Sequence, residues 1–160
     1  MSAVEMKVKG LMIDPVSQMP IIILRDSTGR EVLPIWVGIF EANAIAMQLE
    51  SISSPRPMTH DLLKNVIQEL KAQIVRVVIT DLRENTFFAS IWLEQQGKSL
   101  AIDARPSDAM ALALRVGAPI FVEQDVLAKS SGPGDDAEAT ERLRKWLETV
   151  DPRELGKYEM

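Results

Sequence analysis

Apolar and polar residues alternate through Val4, Glu5, Met6, Lys7 and Val8, a period of two that predicts a half-buried strand. Asp14-Pro15 breaks it. Pro20–Arg25 is a short apolar run closed by Asp26-Ser27-Thr28-Gly29, a turn composition, and Glu31–Val37 resumes as a strand. Strands joined across so short a glycine-containing turn predict an antiparallel hairpin. After Gly38 the period changes. Ala42, Ile45, Ala46 and Leu49 recur at helical spacing and predict a helix over 39–50. Ser51–Pro57, with two prolines and three serines, predicts a loop. Thr59 suits an N-cap and Asp61 the first turn, where the helix dipole favours a carboxylate. Leu62, Leu63, Val66, Ile67 and Leu70 predict the buried face of a second helix, over 59–71.

The pattern then recurs. Ile74–Thr80 is a β-branched strand, and Thr86–Glu94 and Lys98–Asp103 flank a Gln95-Gln96-Gly97 turn, predicting another hairpin. Pro106 suits the first position of a helix, where its missing N–H is not needed, and Gly117 with Pro119 stops that helix after Val116. Ile120–Val122 reads as a last short strand. Displacing the chain by 67 positions sets Leu33, Ile35, Ala42, Ala44 and Ala46 on Leu100, Ile102, Ala109, Ala111 and Ala113, and Glu41 on Asp108, without a gap. The sequence thus predicts an α+β fold of duplicated strand–hairpin–helix halves with antiparallel β-sheets. Residues 1–127 form the expected body and 128–136 a flexible linker. In 137–160 a C-terminal helix carries Leu143, Trp146, Leu147 and Val150 on one amphipathic face.

Composition narrows the chemistry. The chain has 160 residues, 46% hydrophobic and 26% charged, with no cysteine and one histidine. Disulfides, thiolate metal sites and cysteine nucleophiles are excluded, as is any site needing two histidines of one chain. No apolar run approaches the roughly 18 residues that span a bilayer, and the first residues lack a signal-peptide pattern, so no membrane partner and a cytoplasmic location are expected. The formal charge is −5, and most of it lies late: residues 1–122 carry 12 Lys+Arg against 13 Asp+Glu, residues 123–160 carry 6 against 10. A nearly neutral body lacks the cationic stripe of a tight, non-specific nucleic-acid binder. Trp36, Phe40, Phe87, Phe88 and Trp92 are more large apolar groups than so short a chain readily buries, which predicts a homo-oligomer.

Two places gather polar groups at helix starts. One is Arg56-Pro57-Met58-Thr59-His60-Asp61, with Glu41 opening the preceding helix; the other is Asp103-Ala104-Arg105-Pro106-Ser107-Asp108. Free N–H groups and arginine forks at such places suit anions. Each residue also has a plainer role: Ser107 and Asp108 as caps, Asp103 and Arg105 as a pair, Arg56 as a loop staple, His60-Asp61 as a solvated first turn. No Walker, GxGxxG or GxSxG motif occurs, and a Ser107–His60–Asp triad has nothing to fix its distances. Phosphodiester hydrolysis needs carboxylates for a divalent ion, cations for the phosphate and a base for water. Asp103, Asp108, Glu41 and Asp61 could supply the first, with Asp103 and Asp108 the candidate ligands of Mg²⁺ or another divalent cation. Arg56 and Arg105 could supply the second and His60 the third.

Leu33-Pro34-Ile35-Trp36-Val37-Gly38 with Glu41-Ala42, then Arg56-Pro57-Met58-Thr59-His60-Asp61-Leu62-Leu63, then Asp103-Ala104-Arg105-Pro106-Ser107-Asp108-Ala109 with Ala118-Pro119-Ile120, resemble in order the signatures of the bifunctional nuclease domain family. The resemblance covers roughly residues 4–125. It implies a compact, oligomeric α+β domain and nuclease activity toward DNA and RNA, with nucleic acid as the partner. It brings no catalytic assignment, so the site residues rest on chemistry placed on the matched motifs. The alternative is a non-catalytic oligomeric domain with a regulatory or binding role; a sensor of small anions at the helix starts is a third reading. If the halves are duplicated, residues 56–61 and 103–108 are expected to line a common cleft, either as a site or as a salt-bridge network joining the halves.

Overall fold

A computed structural model describes residues 2–130. The strands are β1 (Ala3–Ile13), β2 (Pro20–Asp26), β3 (Val32–Trp36), β4 (Gln73–Arg83), β5 (Thr86–Gln95), β6 (Lys98–Ala104) and β7 (Ile120–Glu123). The helices are α1 (Ile39–Leu49), α2 (Thr59–Glu69), α3 (Pro106–Val116) and α4 (Gln124–Ser130). The strands form one seven-stranded sheet in the order β3-β2-β1-β7-β4-β5-β6. Two antiparallel meanders, β1–β2–β3 and β4–β5–β6, are joined by β7, which runs antiparallel to β1 and parallel to β4. One continuous sheet with one parallel pair therefore replaces the expected purely antiparallel sheets. The parallel pair arises because α3 carries the chain from the outer edge back over the sheet to its middle.

Side chains alternate across a strand, so each meander sends one set to the helical layer. Met6, Ile22, Leu24, Leu33 and Ile35 from the first, and Val77, Ile79, Ala89, Ile91 and Leu93 from the second, meet Ala42, Ile45, Ala109, Leu112 and Ala113 of α1 and α3 in one core. The small alanines let α1 and α3 lie close to each other and to the sheet. On the opposite face Ile21, Ile23 and Val32 form a smaller cluster with Met12 and Trp36, and the Trp36 indole N–H donates to Asp14 Oδ2 at 3.0 Å.

α1 and α3 start 67 positions apart, with Gly38 and Arg105 at their N-caps and Glu41 and Asp108 in their first turns. The strands part from that correspondence in burial. Leu33 and Ile35 are sealed in the core, whereas Leu100 and Ile102 are 44% and 46% exposed, although β3 and β6 are both edge strands. α2 differs most from expectation. Leu62, Leu63, Val66 and Leu70 lie 42–62% exposed, only Ile67 packs against the core, and the one buried side chain of the helix is His60. The N-cap is Met58 rather than Thr59; the Asp61 carboxylate accepts from the Met58 N–H at 3.0 Å.

α4 was not legible in the chain pattern. It runs through residues 128–130, where a linker was expected to begin, and buries Val126 and Leu127 in the core. The remaining linker, 131–136, and the amphipathic helix with its tail, 137–160, lie outside the described residues.

Candidate active site

Gly38 is extended (φ −74°, ψ 158°) and caps α1 without a side chain, so the Glu41 carboxylate folds back over it; a Cβ at position 38 would collide with Glu41 Oε2. That places Glu41 at the mouth between the two helix starts. Arg105, the N-cap of α3, reaches across: its Nη2 lies 2.9 Å from Glu41 Oε1 and 2.8 Å from Asp108 Oδ2, and its Nε donates to the same Asp108 oxygen at 2.8 Å. The other Asp108 oxygen, Oδ1, meets His60 Nε2 at 2.8 Å. One cluster thus joins α1, α2 and α3 through Glu41, Arg105, Asp108 and His60.

The members differ in exposure. The side chain of His60 is 10% exposed, those of Glu41 and Asp108 15% and 25%, and that of Arg105 67%. The imidazole is the floor and the guanidinium the solvent-facing rim. The Asp108 hydrogen bond and charge, then the Glu41 charge, raise the pKa of Arg105 above its ordinary value. Its third nitrogen, Nη1, has no partner among the described residues. A carboxylate only accepts, so the contact requires the proton on Nε2; in a neutral ring Nδ1 is then the acceptor.

The structure brings together His60, Asp108, Arg105 and Glu41 from the expected set, and leaves the other three apart. Asp61 turns to a different partner. Its Oδ1 accepts from Arg115 Nε at 2.6 Å, and Arg115, only 5% exposed, also donates to the Ala111 carbonyl at 2.9 Å. The Met58 N–H foremost, then Arg115, hold the Asp61 carboxyl below the usual carboxylate range. Asp103 stands opposite Ser90 on β5, so by strand alternation it faces away from the helical layer and the cluster. Arg56 is exposed in its loop. Ser107 is buried beside the site, but among the described residues no hydrogen bond joins it to His60.

Among the described residues no three His, Cys, Asp or Glu side chains are gathered to hold a metal ion. Where Glu41 and Asp108 approach, the space between them is filled by the Arg105 guanidinium, a fixed cation. As arranged, these donors do not fit a metal ion. A groove of ≈ 420 Å³ next to the proline loop is lined by Asp61, Lys64, Asn65 and Arg115 rather than by the cluster. Arg115 is the contributor that sequence reading missed; its position two helical turns after Asp108 was the available signal. No described helix is long and apolar enough to cross a membrane.

An α/β domain with a histidine–carboxylate–arginine cluster at converging helix starts is thus defined. The profile of the Bifunctional nuclease domain matches residues 22–134. An uncharacterized protein of Mycobacterium tuberculosis (strain H37Rv) is 38% identical over 159 residues, which is 92% of this chain and 95% of that protein. Bifunctional nuclease 2 of Oryza sativa subsp. japonica is 30% identical over 117 residues, 71% of this chain and 36% of that protein. Bifunctional nuclease 1 of Arabidopsis thaliana is 29% identical over 118 residues, again 71% of this chain and 36% of that protein. The chain belongs to the bifunctional nuclease domain family.

Proposed function

We propose that the chain is a nuclease that hydrolyses phosphodiester bonds in DNA, RNA or both, at the His60–Asp108–Arg105–Glu41 cluster. The observation that carries this reading is the 2.8 Å contact between His60 Nε2 and Asp108 Oδ1 beside an exposed arginine. Asp108 orients the imidazole, and Nδ1 takes a proton from water as the water oxygen bonds to phosphorus. The phosphorus–oxygen bond to the leaving sugar breaks, and that oxygen takes up a proton from solvent. Arg105, whose Nη1 has no partner among the described residues, stabilises the charge on the phosphate oxygens. Glu41 holds the guanidinium in place. The names of the plant relatives support the reaction class.

A divalent cation belongs to this proposal only as an added component. To bind Glu41 and Asp108 it would have to displace Arg105. The test is cleavage of single- and double-stranded DNA and RNA with Mg²⁺, Mn²⁺ or a chelator, beside a His60→Ala/Asp108→Ala double variant. The expected outcome is cleavage by the parent protein and none by the variant. Equal cleavage by both, or none by either, overturns the reading.

One observation favours a second reading, a binding domain without catalysis. Every carboxylate oxygen that Arg105 and His60 meet is already engaged within the chain, as in a network that only joins helices. A folded protein that binds nucleic acid but does not cut it would support it. In either case we propose a homo-oligomer. Among the described residues nothing pairs with the outer edge of β6, where Leu100 and Ile102 are half exposed, and Phe40 on α1 is 86% exposed. The other edge, β3, is short and carries Pro34, so self-association through β6 is favoured.

A further inference from the structure

α2 brings the histidine to the cluster, yet it has little apolar grip on the body. Three of its large apolar side chains and its C-cap Leu70 are 42–62% exposed, and His60 is its one buried side chain. What seats its first turn is polar, and both contacts land on α3. His60 meets Asp108 at the start of α3, and Asp61 meets Arg115 near the end. Asp108 and Arg115 are seven residues apart, two helical turns, so they share one side of α3. Adjacent residues of α2 thus straddle α3.

The two contacts differ in kind. Arg115 is enclosed, and its guanidinium is fixed a second time by the Ala111 carbonyl of its own helix. It is a rigid anchor. Asp61 is bound to the anchor and to the Met58 N–H at the same time, so the anchor also sets where the cap of α2 lies. At the far end of α2 the only side-chain hydrogen bond among the described residues comes from Gln95 Nε2 to the Leu70 carbonyl at 2.7 Å. His60 sits one residue from the anchored carboxylate, and a sub-ångström change there is enough to break a hydrogen bond of this length.

We propose that the Arg115–Asp61 pair is the positioning device of the site. It holds His60 against Asp108, although neither of its members touches Arg105 or Glu41. The catalytic meaning of the device rests on the nuclease reading above; the geometric claim does not, and the test keeps them apart.

His60 is the only histidine in the chain, so an imidazole nitrogen spectrum of the full-length protein reports this one ring. In the parent protein the two ring nitrogens should give separate signals, as a single bound tautomer does. Arg115→Met keeps the volume of the buried side chain and leaves Asp61, about a third exposed, to water. It should stay folded by circular dichroism and lose the separate signals, giving the averaged pattern of a free imidazole. Arg115→Lys should restore them in part. Asp108→Asn marks the direct loss. If Arg115→Met does not fold, Asp61→Asn takes its place, because it keeps the shape and an acceptor for Met58. Unchanged ring signals in whichever variant is folded overturn the proposal. An averaged ring in a variant whose parent cuts no nucleic acid keeps the device and sinks the nuclease reading. Unchanged signals with an active parent do the reverse.

Discussion

Gly38 earns its place by what it leaves empty. Its backbone angles are open to any residue, so alanine is not excluded by strain; it is excluded by the Glu41 carboxylate lying where a Cβ would go. The obstacle is the end of a flexible side chain, so Gly38→Ala should change stability by less than about 1 kcal/mol while displacing Glu41 from Arg105. The Arg105 Nε–H resonance should then move as it does in Glu41→Gln. An Arg105 signal unchanged from the parent would contradict the assignment. Asp61 gives a second test at this scale. Its native pKa is lowered, first by the Met58 N–H and then by Arg115, so its stabilisation is present above the unfolded value and fades as pH falls through the native one. Asp61→Asn should cost about 1.5–3 kcal/mol at neutral pH, the range for hydrogen bonds to charged groups. The gap should close as the solution is taken well below pH 4, the ordinary aspartate range. Denaturant titrations of both proteins from pH 7 down to 2 check this; a constant gap refutes it. The candidate residues were legible as types at helix starts, but their pairing was not. Nothing in the spacing of His60 and Asp61 says that the first turns to Asp108 and the second to Arg115. That depends on the angle at which α2 crosses α3.

At the scale of elements, the boundaries of α1 and α3 were readable because Gly38, Pro106 and Gly117 punctuate them by backbone rules alone. The orientation of α2 was not. Its leucines and valine make an apolar stripe that points outward, and the buried residue is the polar one. Periodicity reports that a face exists but not what covers it. α4 escaped for the opposite reason: seven residues are too few to show a period, and tertiary contact decides its shape. Val126 and Leu127 nonetheless close one end of the core. Val126 is fully buried, so Val126→Ala should lower stability by about 1–3 kcal/mol, near the low end of large-to-small core changes. Chemical denaturation checks it; a change within about 0.5 kcal/mol, as at ordinary surface sites, would mean that α4 is dispensable.

For the whole molecule, three strands followed by a helix occur twice in chain order, with α2 between them, and the two sets differ in burial. β6 is left bare where its counterpart β3 is sealed. A sheet edge left unpaired among the described residues, bearing Leu100 and Ile102, is a template for another chain. Sedimentation at micromolar concentration should therefore give a mass well above 17.8 kDa. Leu100→Lys/Ile102→Lys should return it to the monomer with the secondary structure unchanged. A parent protein already at monomer mass removes the proposal.

The position of β7 has a consequence for how the chain is made. Among the described residues it is the last strand in sequence and the middle one in space, with β1 on one side and β4 on the other. Synthesis runs from the N-terminus, so both meanders emerge from the ribosome before the strand that unites them. Until residues 120–123 are free, the nascent chain carries two open inner edges waiting for one short insert. Two chains growing side by side can each accept the other's insert, and an exchanged pair is the characteristic error of this topology.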